Sequence, residues 1–271
     1  MPDEAAVLEA ELRYHEKLYS GFAQSHFARP AVRALRQHMA RRILCLTGID
    51  ATSRVLSLGC GIGDTELLLA PQLAEIVGVD LSPSAVQQAR ADAKRLGIAN
   101  AHFIEGTASA AGGRFDAVIA IFFLHHLTDQ ALTALPGQVA AILKPSAIFY
   151  SLDPSNRRLS GAVGRRLIPK LMKKYQSENE RELAPEASAD LFRRGRFQVR
   201  TEMYDFGSSP LAGLLPGWRF GYQMARRADD WLLKVPLIQA RGSNFEIIAR
   251  RSDEPPRPAH CKGAPRESAP A

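Results

Sequence analysis

The stretch VLSLGCGIGDTELLLA, residues 55–70, constrains the fold more than any other part of the chain. An apolar run of strand length enters three closely spaced glycines and continues as an apolar helix. Other short apolar runs alternate with amphipathic segments along the chain; they span residues 76–79, 101–104, 115–122 and 147–152. Strands that alternate with helices predict βαβ units and a mainly parallel sheet covered on both faces.

Helix signals lie before and between these runs. The clearest predicted helix follows Ser82, a good N-cap, with Pro83 in its first turn and Gly97 just beyond its end. Two helices are predicted at the N-terminus. The first carries the stripe Leu8, Leu12, His15 and Tyr19, and the second starts at Pro30 with the inner face Val32, Leu35, Met39, Ile43 and Leu46.

The last apolar segments, 197–203 and 245–249, alternate with polar residues and predict antiparallel pairing at the sheet edge. The fold class is therefore α/β, a Rossmann-like doubly wound sheet with an antiparallel edge, N-terminal helices and helical cap insertions. Residues 1–48 form the predicted N-terminal helical segment, and residues 49–251 form the domain, with insertions at about 154–184 and 207–241. Residues 252–271 contain five prolines and no periodicity, which predicts a disordered tail.

The glycine loop indicates the kind of ligand. Glycines at a strand end let a ligand approach the main chain. A dinucleotide site would want a glycine where Asp64 stands, and no Gly-Lys-Ser/Thr follows to hold a phosphate. Asp80 ends the next strand, 21 positions after Gly59, where its carboxylate can accept hydrogen bonds from both ribose hydroxyls. S-adenosylmethionine fits a nucleoside site without essential phosphates; a glycine-rich turn beside a surface aspartate is the alternative.

Five segments occur in the order typical of one family: VLSLGCGIGDTELLLA, VGVDLSPSAVQQARADAK, FIEG, FDAVIAIFFLHHL and LKPSAIFYSLDPSNR. The chain thereby resembles class I S-adenosylmethionine-dependent methyltransferases, and is most similar to bacterial members that act on small molecules. The resemblance implies an enzyme with S-adenosylmethionine as cofactor. The residues it implies at the cofactor are Gly59, Gly61, Gly63, Asp80, Leu81 at the adenine, Gly106, Thr107 and Ala108 at the adenine edge, and Phe122 near the reacting end. Phe123, beside Phe122, is implied as a substrate residue.

Two positions depart from the family pattern. Ser57 stands two residues before the first glycine, where an acidic residue usually helps to hold the methionine amino group. Thr107 stands where many members have an aspartate that accepts a hydrogen bond from the adenine amino group. A hydroxyl brings no charge assistance, so each change is expected to weaken cofactor binding by about 1 kcal/mol.

Candidate catalytic and substrate residues follow the fourth strand and lie in the added segments. His125 and His126 are predicted as a general base or substrate donor, because histidine titrates near neutrality; packing in the loop is the alternative. No carboxylate or cysteine stands at a spacing that would make a metal site with them. Tyr19 is predicted either to close over the cofactor or to belong to the core. Trp218 and Tyr222, with Phe220 and Trp231, are predicted to line an apolar substrate site or a homodimer surface.

Residues 157–175 contain seven basic side chains and no acidic one, with apolar residues repeating every four positions. This pattern is typical of an amphipathic helix on an anionic membrane or over an acidic substrate, or of a packed helix with a solvated face, and Pro169 interrupts it.

Three unpaired cysteines, an acidic N-terminus without an apolar leader and short apolar runs predict a cytoplasmic protein. No nucleic-acid partner is expected despite the net charge of +7, because Ile-Phe-Phe-Leu replaces the Asn/Asp-Pro-Pro-aromatic tetrad that grips a flipped base. The predicted function is methyl transfer to a small, lipophilic molecule. The alternative is a non-catalytic protein of the same fold docked at an anionic membrane surface.

Overall fold

The computed structural model describes residues 28–158 and 181–252, with five single residues ahead of them, Glu9, Leu12, Arg13, Glu16 and His26. Most of the predicted first helix, including Tyr19, lies outside the described residues. The same holds for residues 159–175 of the predicted basic helix and for the predicted tail beyond Ser252.

Seven strands form one sheet, and their bounds agree closely with the apolar runs in the sequence. They are β1 (Arg54–Leu58), β2 (Glu75–Asp80), β3 (Ala101–Glu105), β4 (Phe115–Ile121), β5 (Leu143–Pro154), β6 (Phe197–Asp205) and β7 (Asn244–Arg251). The spatial order is β3-β2-β1-β4-β5-β7-β6. The first five strands pair in parallel, and β7 runs antiparallel to both β5 and β6. The predicted parallel sheet with antiparallel pairing at one edge is confirmed.

Helices connect the strands and cover both faces of the sheet. They are α1 (Pro30–Thr47), α2 (Glu66–Leu69), α3 (Pro83–Leu96), α4 (Asp129–Ile142), α5 (Pro185–Arg194), α6 (Ser208–Leu214), α7 (Arg219–Leu232) and α8 (Pro236–Gln239). One core lies under α1, α3 and α7 and the other under α4 and α5, as in a doubly wound fold. The predicted insertion at 207–241 folds into the last three of these helices.

Local signals in the sequence account for the ends of the main helices. The Ser82 hydroxyl accepts the N–H of Ala85 at 3.1 Å, and Gly97 ends α3 with φ of 69°. Pro30 begins α1, and Gly48 ends it with φ of 70°. The start of α1 and both ends of α3 therefore lie where the sequence predicted.

Helix α1 is fixed to the last strand by a buried ion pair. The guanidinium of Arg42 donates to both carboxylate oxygens of Glu246, with its Nε 2.7 and 2.8 Å away. The Tyr150 hydroxyl donates to the same carboxylate at 2.8 Å. Glu246 is fully buried, and burial raises its pKa although Arg42 opposes the change. A buried carboxylate is tolerated only when it is paired this completely, so this contact fixes α1 against the sheet.

Candidate active site

The loop between β1 and α2 uses its glycines for backbone geometry and for packing. Gly59, Gly61 and Gly63 have φ values of 62°, 52° and 74°, in the region that disfavours residues with a Cβ. A Cβ at Gly59 would fall 2.4 Å from the ring of Phe123, and one at Gly63 would fall 2.6 Å from the ring of Phe103. The loop is therefore a bare main chain held between two aromatic rings at the carboxyl end of β1.

Asp80 closes this loop from the neighbouring strand. Its carboxylate accepts the N–H of Gly61 at 2.8 Å and the N–H of Ser82 at 2.9 Å. An ionised carboxylate offers about four lone-pair sites, so two of these bonds leave acceptor capacity for a diol. The N–H of Gly106 donates to the Asp80 carbonyl at 2.9 Å, which brings the end of β3 to the same edge.

The predicted adenine side lies along that edge. Leu81 is exposed beside Asp80, Gly106 has φ of 136°, and Ala108 is half-buried at the start of a short helical turn. Thr107 is exposed, and its hydroxyl shares a hydrogen bond of 2.9 Å with the hydroxyl of Ser109. The structure thus brings these four predicted residues together, while their binding role stays a prediction.

A buried carboxyl group lies beside the serine at position 57. The Ser57 hydroxyl donates to the Glu66 carboxylate at 2.6 Å, and both side chains are buried beneath the loop. Burial raises the pKa of Glu66 to about 7, against the opposing hydrogen bond from Ser57. Sequence reasoning missed Glu66, although a glutamate among the leucines of TELLLA was the signal for a buried acid.

An ion pair stands at the mouth of the loop. The Arg36 Nε lies 2.8 Å from the Asp64 Oδ2, and both side chains are largely buried. The Arg36 guanidinium carbon also lies 5.8 Å from the centre of the Phe122 ring. Arg36 comes from α1, and sequence reasoning missed it because nothing in the local pattern ties that helix to the loop. A cation and an anion placed side by side complement the carboxylate and ammonium of a free amino acid.

The two phenylalanines after β4 point to opposite sides of the sheet. Phe122 has φ of 53°, its N–H donates to the Leu152 carbonyl at 2.7 Å, and its ring packs on the α1 side. Phe123 packs on Gly59 instead, with the other core. The strand order reverses between β1 and β4, so this loop pair lies at the point where ligands bind in open α/β sheets.

His125 forms a buried pair with Asp153, the residue before the last of β5. The Nδ1 of His125 lies 3.0 Å from the Oδ1 of Asp153, and the backbone N–H of His125 donates to the same oxygen at 3.3 Å. Asp153 is fully buried, and among the described residues its Oδ2 has no hydrogen-bond partner. A carboxylate at Nδ1 fixes the ring so that Nε2 can accept a proton. His126 is half-buried, with its ring centre 4.0 Å from that of His125.

The predicted substrate residues of the second insertion do not lie together in the structure. Tyr222 is buried beside Tyr204 in the core under α1, and burial raises its pKa. Trp218 is half-exposed in the turn between α6 and α7, where its ring covers Gly221. The two side chains therefore face different environments, and their contact with a substrate stays a prediction.

Metal binding and membrane crossing are two further functions to compare with the described residues. Within residues 28–158 and 181–252, no three or more histidine, cysteine, aspartate or glutamate side chains are grouped to hold a metal ion. In the same part of the chain, no helix has both the length and the apolar character needed to cross a bilayer.

Comparison with known proteins agrees with this geometry. The family model described as a methyltransferase domain matches residues 55–146. The uncharacterized methyltransferase YcgJ of Bacillus subtilis is 32% identical over 106 residues, which cover 38% of this chain and 41% of YcgJ. Trans-aconitate 2-methyltransferase of Methylobacterium radiotolerans is 29% identical over 209 residues, which cover 76% of this chain and 75% of that enzyme. The sequence match spans about half or less of the length of several curated relatives, YcgJ among them.

Solved structures share the fold at low sequence identity. The structure of YcgJ aligns with a TM-score of 0.53 at 20% identity, covering 80% of this chain and 99% of that one. Magnesium protoporphyrin IX methyltransferase from Synechocystis PCC 6803, solved with bound SAH, aligns with a TM-score of 0.53 at 16% identity, covering 82% and 84%. The sequence match over residues 55–146 and the shared fold together support a class I S-adenosylmethionine-dependent methyltransferase.

Proposed function

We propose that the protein transfers a methyl group from S-adenosylmethionine to a small, lipophilic molecule through a hydroxyl or another group that must lose a proton. The observation that carries this proposal is the buried His125–Asp153 pair at the carboxyl ends of β4 and β5, the same edge of the sheet as the loop held by Asp80. A cofactor loop alone fits any acceptor, whereas a buried histidine oriented by a carboxylate is of use where a proton has to be removed.

The residues present fit the cofactor. Asp80 would accept hydrogen bonds from the ribose hydroxyls, and Leu81 with residues 106–108 would border the adenine. The Arg36 guanidinium would pair with the methionine carboxylate, and Asp64 would pair with its ammonium group. When bound, S-adenosylmethionine supplies a methyl group on a sulfonium, which is a good leaving group. Most of the remaining work is to hold the acceptor in line with the methyl carbon.

Proton removal is the task of the His125–Asp153 pair. With Nδ1–H donated to Asp153, the lone pair of His125 Nε2 can accept a proton from the acceptor hydroxyl. Asp153 then stabilises the imidazolium that forms, because both groups lie in a buried site of low dielectric. A general base placed in this way contributes about 10²–10⁴-fold to the rate.

The small, lipophilic character of the acceptor follows from the residues at the reacting end and from named relatives. Phe122 and Phe123 follow β4 beside the loop, and apolar rings favour an apolar acceptor. The matched trans-aconitate and magnesium protoporphyrin IX methyltransferases are named for small molecules. A cytoplasmic location accords with the unpaired cysteines and stays part of the proposal.

Tracing an isotope-labelled methyl group tests the proposal. The purified protein is incubated with isotope-labelled S-adenosylmethionine and an extract of its native cells, which is then divided into lipid, small-molecule, protein and nucleic-acid fractions. We expect label in the lipid or small-molecule fraction. The Asp80→Ala variant should bind the cofactor at least about tenfold more weakly, since it loses the acceptors for the ribose and for Gly61.

The matched control is Asp190→Ala, which removes an exposed aspartate far along the chain in α5. Its label transfer and cofactor affinity should equal those of the wild type. Label confined to protein or nucleic acid would overturn the acceptor class, and an unchanged affinity in Asp80→Ala would overturn the cofactor site.

A further inference from the structure

Helix α7 buries charged side chains and exposes apolar ones, the reverse of an ordinary amphipathic helix. It buries Arg226 and Asp229, which are 6% and 3% exposed, and presents three large apolar side chains to solvent. These are Phe220, Met224 and Trp231, exposed by 64%, 47% and 66%. Their spacing of four and seven residues places them in one stripe along the outer face. An amphipathic helix of an isolated globular domain normally has the opposite arrangement.

Specific contacts fix this orientation. The guanidinium of Arg226 donates to the Tyr204 carbonyl at 2.9 Å and pairs with Asp230 at 2.9 Å. The Asp229 carboxylate accepts the N–H groups of Gly207 and Ser208 at 3.1 and 2.8 Å. Rotating α7 to bury its apolar stripe would leave these buried charges without partners. The outward stripe is therefore a property of the folded chain.

The stripe continues into the turn that precedes α7. Eight large apolar side chains are exposed among the described residues, and six of them lie between positions 214 and 231. We name these six the α7 patch; they are Leu214, Leu215, Trp218, Phe220, Met224 and Trp231. A concentration of exposed apolar groups at one place marks a surface that binds something apolar.

The charges around the patch decide what that partner is. Four exposed basic residues surround or interrupt the patch: Arg219, Arg227, Lys234 and Arg241. The neighbouring helix α1 adds the exposed Arg33 and Arg41 and contains no acidic residue. The exposed acid on α7, Asp230, is already paired with Arg226. A second copy of the chain would bring the same positive surface against itself, because a twofold interface is self-complementary. An anionic bilayer surface instead attracts the basic residues and accepts the apolar ones.

We propose that the α7 patch docks the protein on the surface of an anionic bilayer. Tryptophan and phenylalanine side chains suit the headgroup level, where one side of the ring is apolar and the other is wet. The basic rim adds attraction to acidic headgroups within about 10 Å of the surface. The patch shares no residue with the site around Asp80 and His125, and the association can be measured without methyl transfer.

Vesicle flotation of the full chain tests the proposal. The probes are phosphatidylcholine vesicles and mixed phosphatidylcholine–phosphatidylglycerol vesicles, with no cofactor present. We expect the wild type to float with the mixed vesicles. The double variant Phe220→Ser/Trp231→Ser should lose at least about tenfold in partitioning, because it removes most of the apolar area of the stripe. The matched control is Leu96→Ser, an exposed leucine at the end of α3. Its partitioning should be unchanged, and circular dichroism checks that each variant is folded.

A charge variant separates attraction to headgroups from apolar insertion. Arg219→Gln/Arg227→Gln should reduce partitioning by roughly fivefold for each arginine, and added salt should reproduce the loss. Equal binding to neutral vesicles would overturn the anionic surface as the partner. Binding that persists in Phe220→Ser/Trp231→Ser would overturn the patch. A dimer in sedimentation velocity that both variants abolish, without vesicle binding, would show that a second copy covers the patch.

Discussion

The glycine loop and the α6–α8 segment distribute polar and apolar groups in opposite ways. Around the loop, charged and polar groups meet each other across the site, and apolar rings support the main chain from behind. In the α6–α8 segment, Arg226 and Asp229 are buried, whereas the large apolar side chains of the α7 patch are exposed. The loop presents a surface that a charged small molecule completes, whereas the segment presents one that an extended apolar partner completes. The same domain therefore carries two candidate binding surfaces of different chemistry.

The largest expected effect lies on the loop side. His125→Gln should lower kcat by about 10²–10⁴-fold, because it removes the proton acceptor. Cofactor affinity, measured by titration calorimetry, should stay within about twofold, since an interaction used only in the transition state does not contribute to ground-state binding. The control is His102→Gln, an exposed histidine on β3. A parallel fall in cofactor affinity would show that His125 shapes the binding site and does not act on a proton.

The next effect is a loss of stability at α1, the helix that both regions contact. Arg42→Ala leaves the buried carboxylate of Glu246 without its cation, which typically costs about 3–5 kcal/mol. Urea unfolding followed by circular dichroism measures the change. Arg41→Ala, at an exposed neighbouring position, should stay within about 0.5 kcal/mol of the wild type. If both variants lose the same amount, the effect belongs to the helix and not to the buried pair.

Beneath the loop, Glu66 should make stability depend on pH. Its pKa is about 7 in the folded chain against an ordinary value of 4.5, so between these pH values only the folded chain keeps the proton. Its contribution to stability is therefore fully present below pH 4.5 and is lost as pH rises towards 7, by up to about 3 kcal/mol. Glu66→Gln keeps a group that Ser57 can contact and should remove this dependence. Glu186→Gln is the exposed control. Parallel stability curves for Glu66→Gln and the wild type from pH 5 to 8 would contradict the raised pKa.

The smallest effect is expected under the α6–α8 segment. The Tyr222 hydroxyl is buried with no hydrogen-bond partner among the described residues. Tyr222→Phe should therefore be neutral or stabilise the fold by about 1 kcal/mol. Tyr150→Phe removes a hydroxyl that is hydrogen-bonded to Glu246 and should destabilise the fold by about 1–3 kcal/mol. A stable Tyr222→Phe variant with reduced kcat/KM would show that the hydroxyl meets the substrate, as the sequence predicts for this residue.

The parts of the site predicted from the sequence depend on local signals. Ser82, Pro83 and Gly97 define α3 through capping, and the glycines of the loop satisfy backbone angles that few other residues adopt. Such requirements act within a few residues, so they are visible in the printed sequence. Asp80 can also be predicted from local signals, because it ends β2, and β2 is next to β1, the strand that leads into the glycine loop.

Two of the residues that sequence reasoning missed, Arg36 and Asp153, act across the fold. Arg36 reaches Asp64, and Asp153 reaches His125, each over 28 positions, and no periodicity links the members of either pair. The direction in which α7 faces was also beyond local reasoning. A stripe such as Phe220, Met224 and Trp231 ordinarily predicts an inward face, and only the contacts of Arg226 and Asp229 with the β6–α6 connection reverse it.

The clamp between Arg42 and Glu246 joins positions 204 residues apart, one before the first strand and one in the last. During synthesis the N-terminal partner leaves the ribosome long before the other exists. Until β7 is made, α1 lacks its anchor, and Arg36 on the same helix lacks a fixed place beside Asp64. A truncated chain would therefore carry the glycine loop without the helix that completes it. We therefore expect the proposed cofactor site to be complete only when translation has reached the end of the sheet.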